Sequence, residues 1–432
     1  MKRNFIVNIK NSNKLRDILL PRILLTIGVL LLIRTGTFLP VPGIDPKDLD
    51  AYIQRTPVAR NLISTFAGDN AFVIGLFTLN IFPFVNATIF VQLLVAFSPR
   101  LAQLQKEGDF EAKRTISRLT RTITLVVAMA QSIGVALYLK PALFEWNILL
   151  ASEIVLWLTS GAMIVLWLSE IITDYGLGNG SSLLIYINIV SNLPNLSKKL
   201  LLENSETSVF LSFTSIILLI GLGLASFYGI VFLQNGSLKV PLISARQLNQ
   251  SSFQDRNRKA NYLPLLFNQA GVMPVILTTS FLVVPRYLIN LGIFPELTFL
   301  TSMESNLFLQ FIYWIGYFIL ILSFSSFYSS IVLNPKDLSD QLQKQAVKIY
   351  GVRPGVSTVL YLKREIQRMT GFGALLLASL TIIPSFIEST FHLTGLNGLS
   401  TTSFLILGGV ILDLKREIND IFLSNIYRDR YQ

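Results

Sequence analysis

Long apolar runs alternate along this chain with short polar, often basic, connections. A helix needs about 20 apolar residues to cross a ~30 Å hydrocarbon core. Ten such runs are legible, at roughly 18–38, 76–97, 120–140, 148–170, 181–202, 209–233, 268–290, 307–332, 371–390 and 399–414. Several are interrupted by Gly, Pro or polar residues, which neighbouring helices satisfy inside a bilayer. The stretch from Ala59 to Gly75 is too short and too polar to cross. The pattern therefore predicts an all-α polytopic membrane protein with ten transmembrane helices.

Composition narrows the class further. Hydrophobic residues make up 52% of the 432 positions and charged residues only 14%, against roughly 25% charged in a soluble domain. Mean hydropathy is +0.57. A soluble enzyme, a disordered chain, collagen and a coiled coil are excluded. Cysteine is absent, which removes disulfides, thiolate metal sites and a Cys nucleophile. The single histidine, His392, rules out an all-histidine metal site and reads as a residue at an outer span end. No cofactor is expected. Residues Met1 to Asp17 lack the apolar core of a cleavable signal and the Arg/Ser-rich character of a transit peptide. The first span is then expected to serve as the membrane signal.

Charge sets the orientation. With the N-terminus inside, the inward segments hold 28 Lys and Arg and the outward ones 7, with Arg34 inside the first span. That asymmetry puts both termini on the cytoplasmic or stromal face. Ten spans divide as five plus five, and an odd number per half makes the halves insert with opposite topology. The expected halves are 1–202, with helices 1–5, and 203–432, with helices 6–10, as pseudo-symmetric inverted repeats. The second span carries Pro83 beside Asn80 and Asn86; its partner, the seventh, carries Gly271 and Pro274 beside Asn268. Interrupted helices at matching positions point to a functional interface. The inside loops at about 234–267 and 333–370 are long and basic, with Arg246, Arg256, Arg258, Lys259 and Arg353 as docking candidates for a large anionic partner. Arg353 lies in Gly351-Val352-Arg353-Pro354-Gly355, a turn that holds it exposed.

Gly176-Leu177-Gly178-Asn179-Gly180 superficially suggests a dinucleotide fingerprint, but it lies between two spans rather than after a β-strand. A tight turn with positive φ is the better reading. Glu170 and Asp413 fall at inside span ends, and Arg34 sits near an outer end where it can snorkel. No carboxylate occupies the middle of a span, which weighs against an ion pump. A ten-helix secondary transporter of small solutes is the alternative class.

Taken together, the motifs resemble the SecY family, channel subunits of the bacterial and plastid Sec translocons. The resemblance rests on Phe38-Leu39-Pro40-Val41-Pro42-Gly43-Ile44-Asp45, on Asn80-Ile81-Phe82-Pro83-Phe84 through Gln92-Leu93-Leu94, and on Lys106-Glu107-Gly108. It continues through the Gly176–Gly180 turn, Leu263-Pro264-Leu265 with Asn268, Ala270-Gly271-Val272-Met273-Pro274, Asn334-Pro335-Lys336 and the Arg353 turn. It implies a central pore closed by a plug, about 59–75, and by a ring at Ile81, Val85, Ile185, Ile189, Ile276 and Ile406. The plug would present Leu62, Ile63 and Phe66, with Gly68 supplying mobility. The second and seventh spans would form a lateral gate containing Pro83, Gln92, Asn268 and Pro274. Implied partners are SecE, a SecG-like small subunit, the translocation ATPase SecA, the ribosome, signal sequences, nascent polypeptides and lipid. Where some members carry a basic residue after Leu-Pro-Leu, this chain has Leu266-Phe267. Asn (25) outnumbers Ala (21), a bias that suggests an AT-rich plastid genome and hence a thylakoid membrane, with a bacterial plasma membrane as the alternative.

The implied activity is translocation of unfolded polypeptide without chemistry of the chain's own. Deleting Leu62 to Asn70 is expected to make the resting channel leak ions in planar bilayers. Unchanged single-channel conductance would remove the plug from this segment.

Overall fold

The computed structural model describes residues 2–42, 75–98, 100–101, 103–104, 110–140, 147–203, 209–244, 262–268, 271, 273–275, 277–278, 281, 307–390 and 401–431. In chain order its elements are α1 (Lys2–Gly36), α2 (Phe82–Phe97), α3 (Phe110–Leu139), α4 (Ile148–Tyr175), α5 (Gly180–Glu203) and α6 (Val209–Asn235). Then come β1 (Ser237–Ser244), β2 (Tyr262–Leu266), α7 (Leu307–Val332), α8 (Pro335–Lys344), β3 (Val347–Ile349), α9 (Val356–Thr390) and α10 (Thr401–Tyr431). A long helix covers nine of the ten expected spans, and helical residues at 273–275, 277–278 and 281 mark the seventh. Among the described residues, five segments are long and apolar enough to cross a membrane: Leu19–Gly36, Glu111–Leu137, Ile148–Tyr175, Ile312–Lys344 and Val356–Ile383.

Two compact units emerge. The first holds Met1–Ser212, Gly395–Leu399 and Val410–Gln432; the second holds Phe213–Thr394 and Ser400–Gly409. Residues Val410–Gln432 of α10 cluster with the first unit and Ser400–Gly409 with the second.

In the first unit, α4 shows how a membrane helix divides its surface. Leu149, Leu156, Ile164 and Trp167 are exposed, as lipid-facing residues are, while Ile154, Leu158, Ala162, Val165 and Ile172 are buried. Ile154, Leu158 and Ala162 of that stripe pack with Ala128, Ala136 and Leu139 of α3, and with Val41 and Leu79. Small residues let the helix backbones approach, since lipid supplies no hydrophobic driving force between helices. The hydroxyls of Ser132 and Thr159 share a buried hydrogen bond at 3.1 Å across the same interface. Between α3 and the C-terminal end of α4, Arg121 Nε donates to Glu170 Oε1 at 2.9 Å. The pair is half exposed and contributes about 0–1 kcal/mol. Asp413 lies 3.6 Å from Arg416 one turn on. Arg34 lays its guanidinium over the Phe38 ring, 5.1 Å from the centroid.

In the second unit, Ile230 and Leu233 of α6 meet Tyr317 and Ile321 of α7, Leu377 and Ala378 of α9, and Val275 of the seventh span. Ser329 and Thr370 hydroxyls pair at 2.7 Å between α7 and α9.

The described parts of the two long basic loops fold together as an antiparallel sheet of order β2-β1-β3, covered by α8 and the start of α9. Val240, Leu265, Leu342, Ile349, Leu362 and Ile366 form its core. Helix α9 accordingly begins at Val356, well before the apolar run at 371. Asn334 caps α8, its Oδ1 accepting the Lys336 amide at 3.1 Å, and Pro335 occupies the first turn.

Gly161 is where α4 meets the segment leading into α2. A Cβ on Gly161 would run into the Leu76 carbonyl, which is backbone and cannot swing aside. Gly161→Leu is expected to lower stability by about 2–3 kcal/mol by overpacking, outweighing the ~1 kcal/mol of helix propensity gained. Thermal unfolding in detergent reads this out, and an unshifted transition would show that the 75–81 segment yields freely.

Candidate functional site

The second span does not begin as a helix. Residues 76–81 form turns, and the helix proper starts at Phe82. Gly75 pairs with Pro40 in an isolated β-bridge, and the Leu76 amide donates to the Leu39 carbonyl at 2.9 Å. Thr78 Oγ1 donates to the Gly75 carbonyl at 2.7 Å. Asn80 has φ +46, and its Oδ1 accepts the Ile81 amide at 2.8 Å. Asparagine tolerates that left-handed backbone because its short amide bonds locally. Pro83 follows in the first helical turn, where it forfeits no backbone bond. The result is a rigid entry that presents Ile81 and then Val85, whose amide donates to the Ile81 carbonyl at 3.1 Å. Their exposures are 2% and 6%, so both belong to the interior although they open a membrane span. Gln92 is half-buried farther along α2, near exposed Phe90 and Leu94.

The fifth span is entered through the Gly176–Gly180 turn, whose three glycines serve either positive φ or close approach. Gly178 has φ +84, as the sequence predicts, and faces Leu414 of α10. A Cβ on Gly180 would meet the Ser169 backbone, and one on Gly176 the Ile172 carbonyl and Thr26 Oγ1. Thr26 Oγ1 accepts the Leu177 amide at 3.0 Å, and Thr173 Oγ1 accepts the Gly180 amide at 2.9 Å. Asn179 Oδ1 accepts from the Ser181 amide at 3.1 Å and from its hydroxyl at 2.7 Å, capping α5. Ile185 and Ile189 lie one turn apart on that helix, both half-buried.

At the seventh span, Asn268 Nδ2 donates to the Gly271 carbonyl at 2.8 Å, and Gly271 has φ +62. This bond is local to the turn. Pro274 is buried, and Thr278 Oγ1 takes up its carbonyl at 2.8 Å. Ile406 of α10 is half-buried. Ile276, the plug residues Leu62, Ile63, Phe66 and Gly68, and the loop residues Arg246, Arg256, Arg258 and Lys259 lie outside the described residues.

Arg353 is exposed in the turn between β3 and α9. Gly351 (φ +76) and Gly355 (φ +100) flank it, and Thr358 Oγ1 donates to its carbonyl at 2.9 Å. Lys348, Lys363, Arg364 and Arg368 are exposed nearby in the chain. Among the described residues no group of His, Asp and Glu is arranged to hold a metal.

Sequence reasoning missed the loop sheet, the Thr26 contact and the left-handed Asn80. The sheet had a signal: Leu238, Val240 and Leu242 alternate with Lys239 and Pro241.

Apolar helices with internally satisfied interruptions, a small sheet on the basic loops and an aliphatic buried entry define a polytopic membrane channel of the translocon type. The SecY family model matches residues 75–415, and the chain belongs to the SecY family. It is 56% identical over 422 residues to the protein translocase subunit SecY of Trieres chinensis, covering 96% of this chain and 98% of that one. Its fold is similar to that of a solved protein-conducting channel with TM-score 0.63 and 18% identity, over 94% of this chain and 93% of the other. It is also similar to Sec61 in the canine ribosome-channel complex from the endoplasmic reticulum, with TM-score 0.58 and 17% identity, over 94% and 93% of the two chains.

Asn80→Val is expected to lower stability by about 1–2 kcal/mol, because a β-branched residue is strained in the left-handed region, while Asn80→Gly costs less. Equal thermal shifts for the two variants would show that backbone conformation at this position is immaterial.

Proposed function

We propose that the chain forms a channel through which unfolded polypeptides cross the membrane, and from which hydrophobic segments pass sideways into lipid. The observation that carries this reading is the entry to the second span. Ile81 and Val85 are aliphatic, buried and held by a turn whose polar groups bond to one another. With Ile185, Ile189, Ile276 and Ile406 they would make a seal of side chains that neither donate nor accept hydrogen bonds. Such a constriction blocks ions by dewetting, yet yields to an extended chain because it grips nothing specifically. A small-solute transporter needs a polar or charged binding cluster at mid-membrane. The carboxylate of Glu170 is instead paired with Arg121 of α3 near the C-terminal end of α4.

The plug would be 59–75. The lateral gate would involve the second and seventh spans, with Gln92, Asn268, Pro83 and Pro274. Leucine gains a few tenths of a kcal/mol on entering lipid while a charge costs about 3, so a side-opening pore sorts segments by hydrophobicity. SecE and a SecG-like subunit would brace the channel from the lipid side. The basic inside loops would dock the ribosome or SecA, as a polyanion or acidic surface favours. The membrane would be the plastid thylakoid with stromal termini, a reading supported by the excess of Asn over Ala and by the 28 to 7 charge asymmetry. The channel would carry out no chemistry itself, and its partner would supply energy.

Photocrosslinkers at positions 81, 185 and 276 are expected to capture a stalled nascent chain in the assembled complex, and a crosslinker at lipid-facing Leu156 to capture none. Capture at Leu156 but not at the three ring positions would overturn the channel reading.

A further inference from the structure

Asn-Gly pairs occur in the chain at 179–180, 235–236 and 397–398, and the last lies outside the described residues. Asparagine before glycine is the least durable pair in a polypeptide. With no side chain on the following residue, its backbone nitrogen can reach the asparagine side-chain carbonyl and displace ammonia. The following amide must lose its proton, the side-chain carbonyl must take up negative charge, and water must reach the product.

At Asn179 the fold supplies the last two conditions and withholds the first. Asn179 is exposed, in the turn that follows the end of α4 at Tyr175. Its Oδ1 accepts from the Ser181 amide at 3.1 Å and from the Ser181 hydroxyl at 2.7 Å. Two donors aimed at that oxygen favour negative charge on it, as in an oxyanion hole. The Gly180 amide, which would be the nucleophile, instead donates to Thr173 Oγ1 at 2.9 Å. That hydroxyl is itself held, because it donates to the Ser169 carbonyl at 3.0 Å and so keeps a lone pair on the Gly180 proton. The pair at 235–236 is built differently: the Gly236 amide donates to the Phe232 carbonyl at 2.9 Å, an ordinary helix-end bond.

We propose that Asn179 is a latent deamidation site, activated by Ser181 and restrained by Thr173. When the Thr173 bond opens, the Gly180 nitrogen loses its proton and bonds to the side-chain carbonyl carbon of Asn179. The carbon–nitrogen bond of the side-chain amide breaks, and ammonia leaves with that proton. Water then opens the cyclic imide at one of its two carbonyls, giving aspartate or isoaspartate. Aspartate keeps the capping oxygen and adds a negative charge at the N-terminus of α5, where it is favourable. Isoaspartate routes the main chain through the extra side-chain carbon. The added length falls between residues 179 and 180, where a Cβ on Gly180 would already meet the Ser169 backbone. Isoaspartate therefore displaces the start of α5, and aspartate does not.

The experiment ages the full-length protein in lipid nanodiscs at mildly alkaline pH. Mass spectrometry follows the amide-to-acid mass gain at Asn179, and hydrogen exchange follows the Gly180 amide. The folded parent is expected to convert more slowly than the same chain unfolded in urea. Thr173→Val keeps the side-chain shape and loses the acceptor. It is expected to speed conversion at Asn179 about fivefold, the worth of one ordinary hydrogen bond, with conversion at Asn235 unchanged. Ser181→Ala in that background is expected to slow it again by a similar factor. Conversion as fast in the folded parent as in urea, unmoved by Thr173→Val, or unmoved by loss of the Ser181 hydroxyl overturns the assignment. If Thr173→Val does not accumulate, exchange in the parent decides, because exchange and cyclisation both begin with loss of the Gly180 proton: a protected amide supports the restraint and a freely exchanging one overturns it. Asn179→Asp is expected to unfold at the parental temperature. The aged, isoaspartate-rich protein is expected to unfold earlier and to recover on treatment with an isoaspartyl methyltransferase. Asn179→Asp unfolding as early as the aged protein overturns the claim that the main-chain insertion does the damage.

Discussion

A bilayer offers a backbone amide nothing to bond with, so every break in a membrane helix must be satisfied from within the protein. This constraint shapes the three described breaks at span entries. At 75–81 the lost helical bonds are replaced by Thr78, by the Asn80 side chain and by the strand-like contact of Gly75 and Leu76 with Leu39 and Pro40. At 176–180 two threonine hydroxyls, from α1 and α4, take up the free amides. At 268–271 the Asn268 amide bonds a carbonyl that the turn would otherwise strand. Each break thus acquires a fixed geometry, and the helix that follows acquires a fixed direction.

Close approach follows from the same economy of space. Gly75, Gly161, Gly180 and Gly373 each face a backbone carbonyl or chain segment that a methyl group would displace. These contacts are not generic helix packing. They occur at or against the interrupted entries, where a turn is pressed onto a neighbouring helix. Elsewhere the packing is ordinary: aliphatic stripes with small residues, and hydroxyl pairs such as Ser132–Thr159 and Ser329–Thr370.

How much of this the sequence reveals depends on the range of the interaction. Span positions and orientation are local sums over hydropathy and charge, so nine long helices stand where the apolar runs predicted them. The Gly178 turn and the Asn334–Pro335 cap are likewise local, and short-range preference decides them. The loop sheet is different. Its β1 and β3 partners lie more than 100 residues apart, as in Ser244↔Val347, and no short window of sequence contains both. Exposed loops also carry the charges that dominate a hydropathy reading, which hides the alternation of Leu238, Val240 and Leu242. Thr26 was invisible for a related reason: a threonine in an apolar helix usually bonds its own preceding turn, and this one bonds the Arg22 carbonyl and also accepts from Leu177.

The distribution of strong and weak interactions has a mechanical consequence. A seal that must open for any polypeptide gains nothing from specific bonds at the constriction, because each would have to be broken at every passage. Aliphatic side chains contribute only contact area there, roughly 25 cal/mol for each Å² removed from water, and an incoming apolar segment replaces that contact in kind. In the proposed channel, directional strength would therefore belong at the span entries, where hydrogen bonds set position without resisting the cargo. The structure follows this division. Asn80, Asn179 and Asn268 sit at span entries, Thr26 bonds to one of those entries from within α1, and Ile81, Val85, Ile185 and Ile189 follow the entries of the second and fifth spans. In the proposed channel, a helix held firmly at its entry and gripped more loosely along its length would pivot about that entry, so that a small displacement of the anchor would become a larger one at mid-membrane.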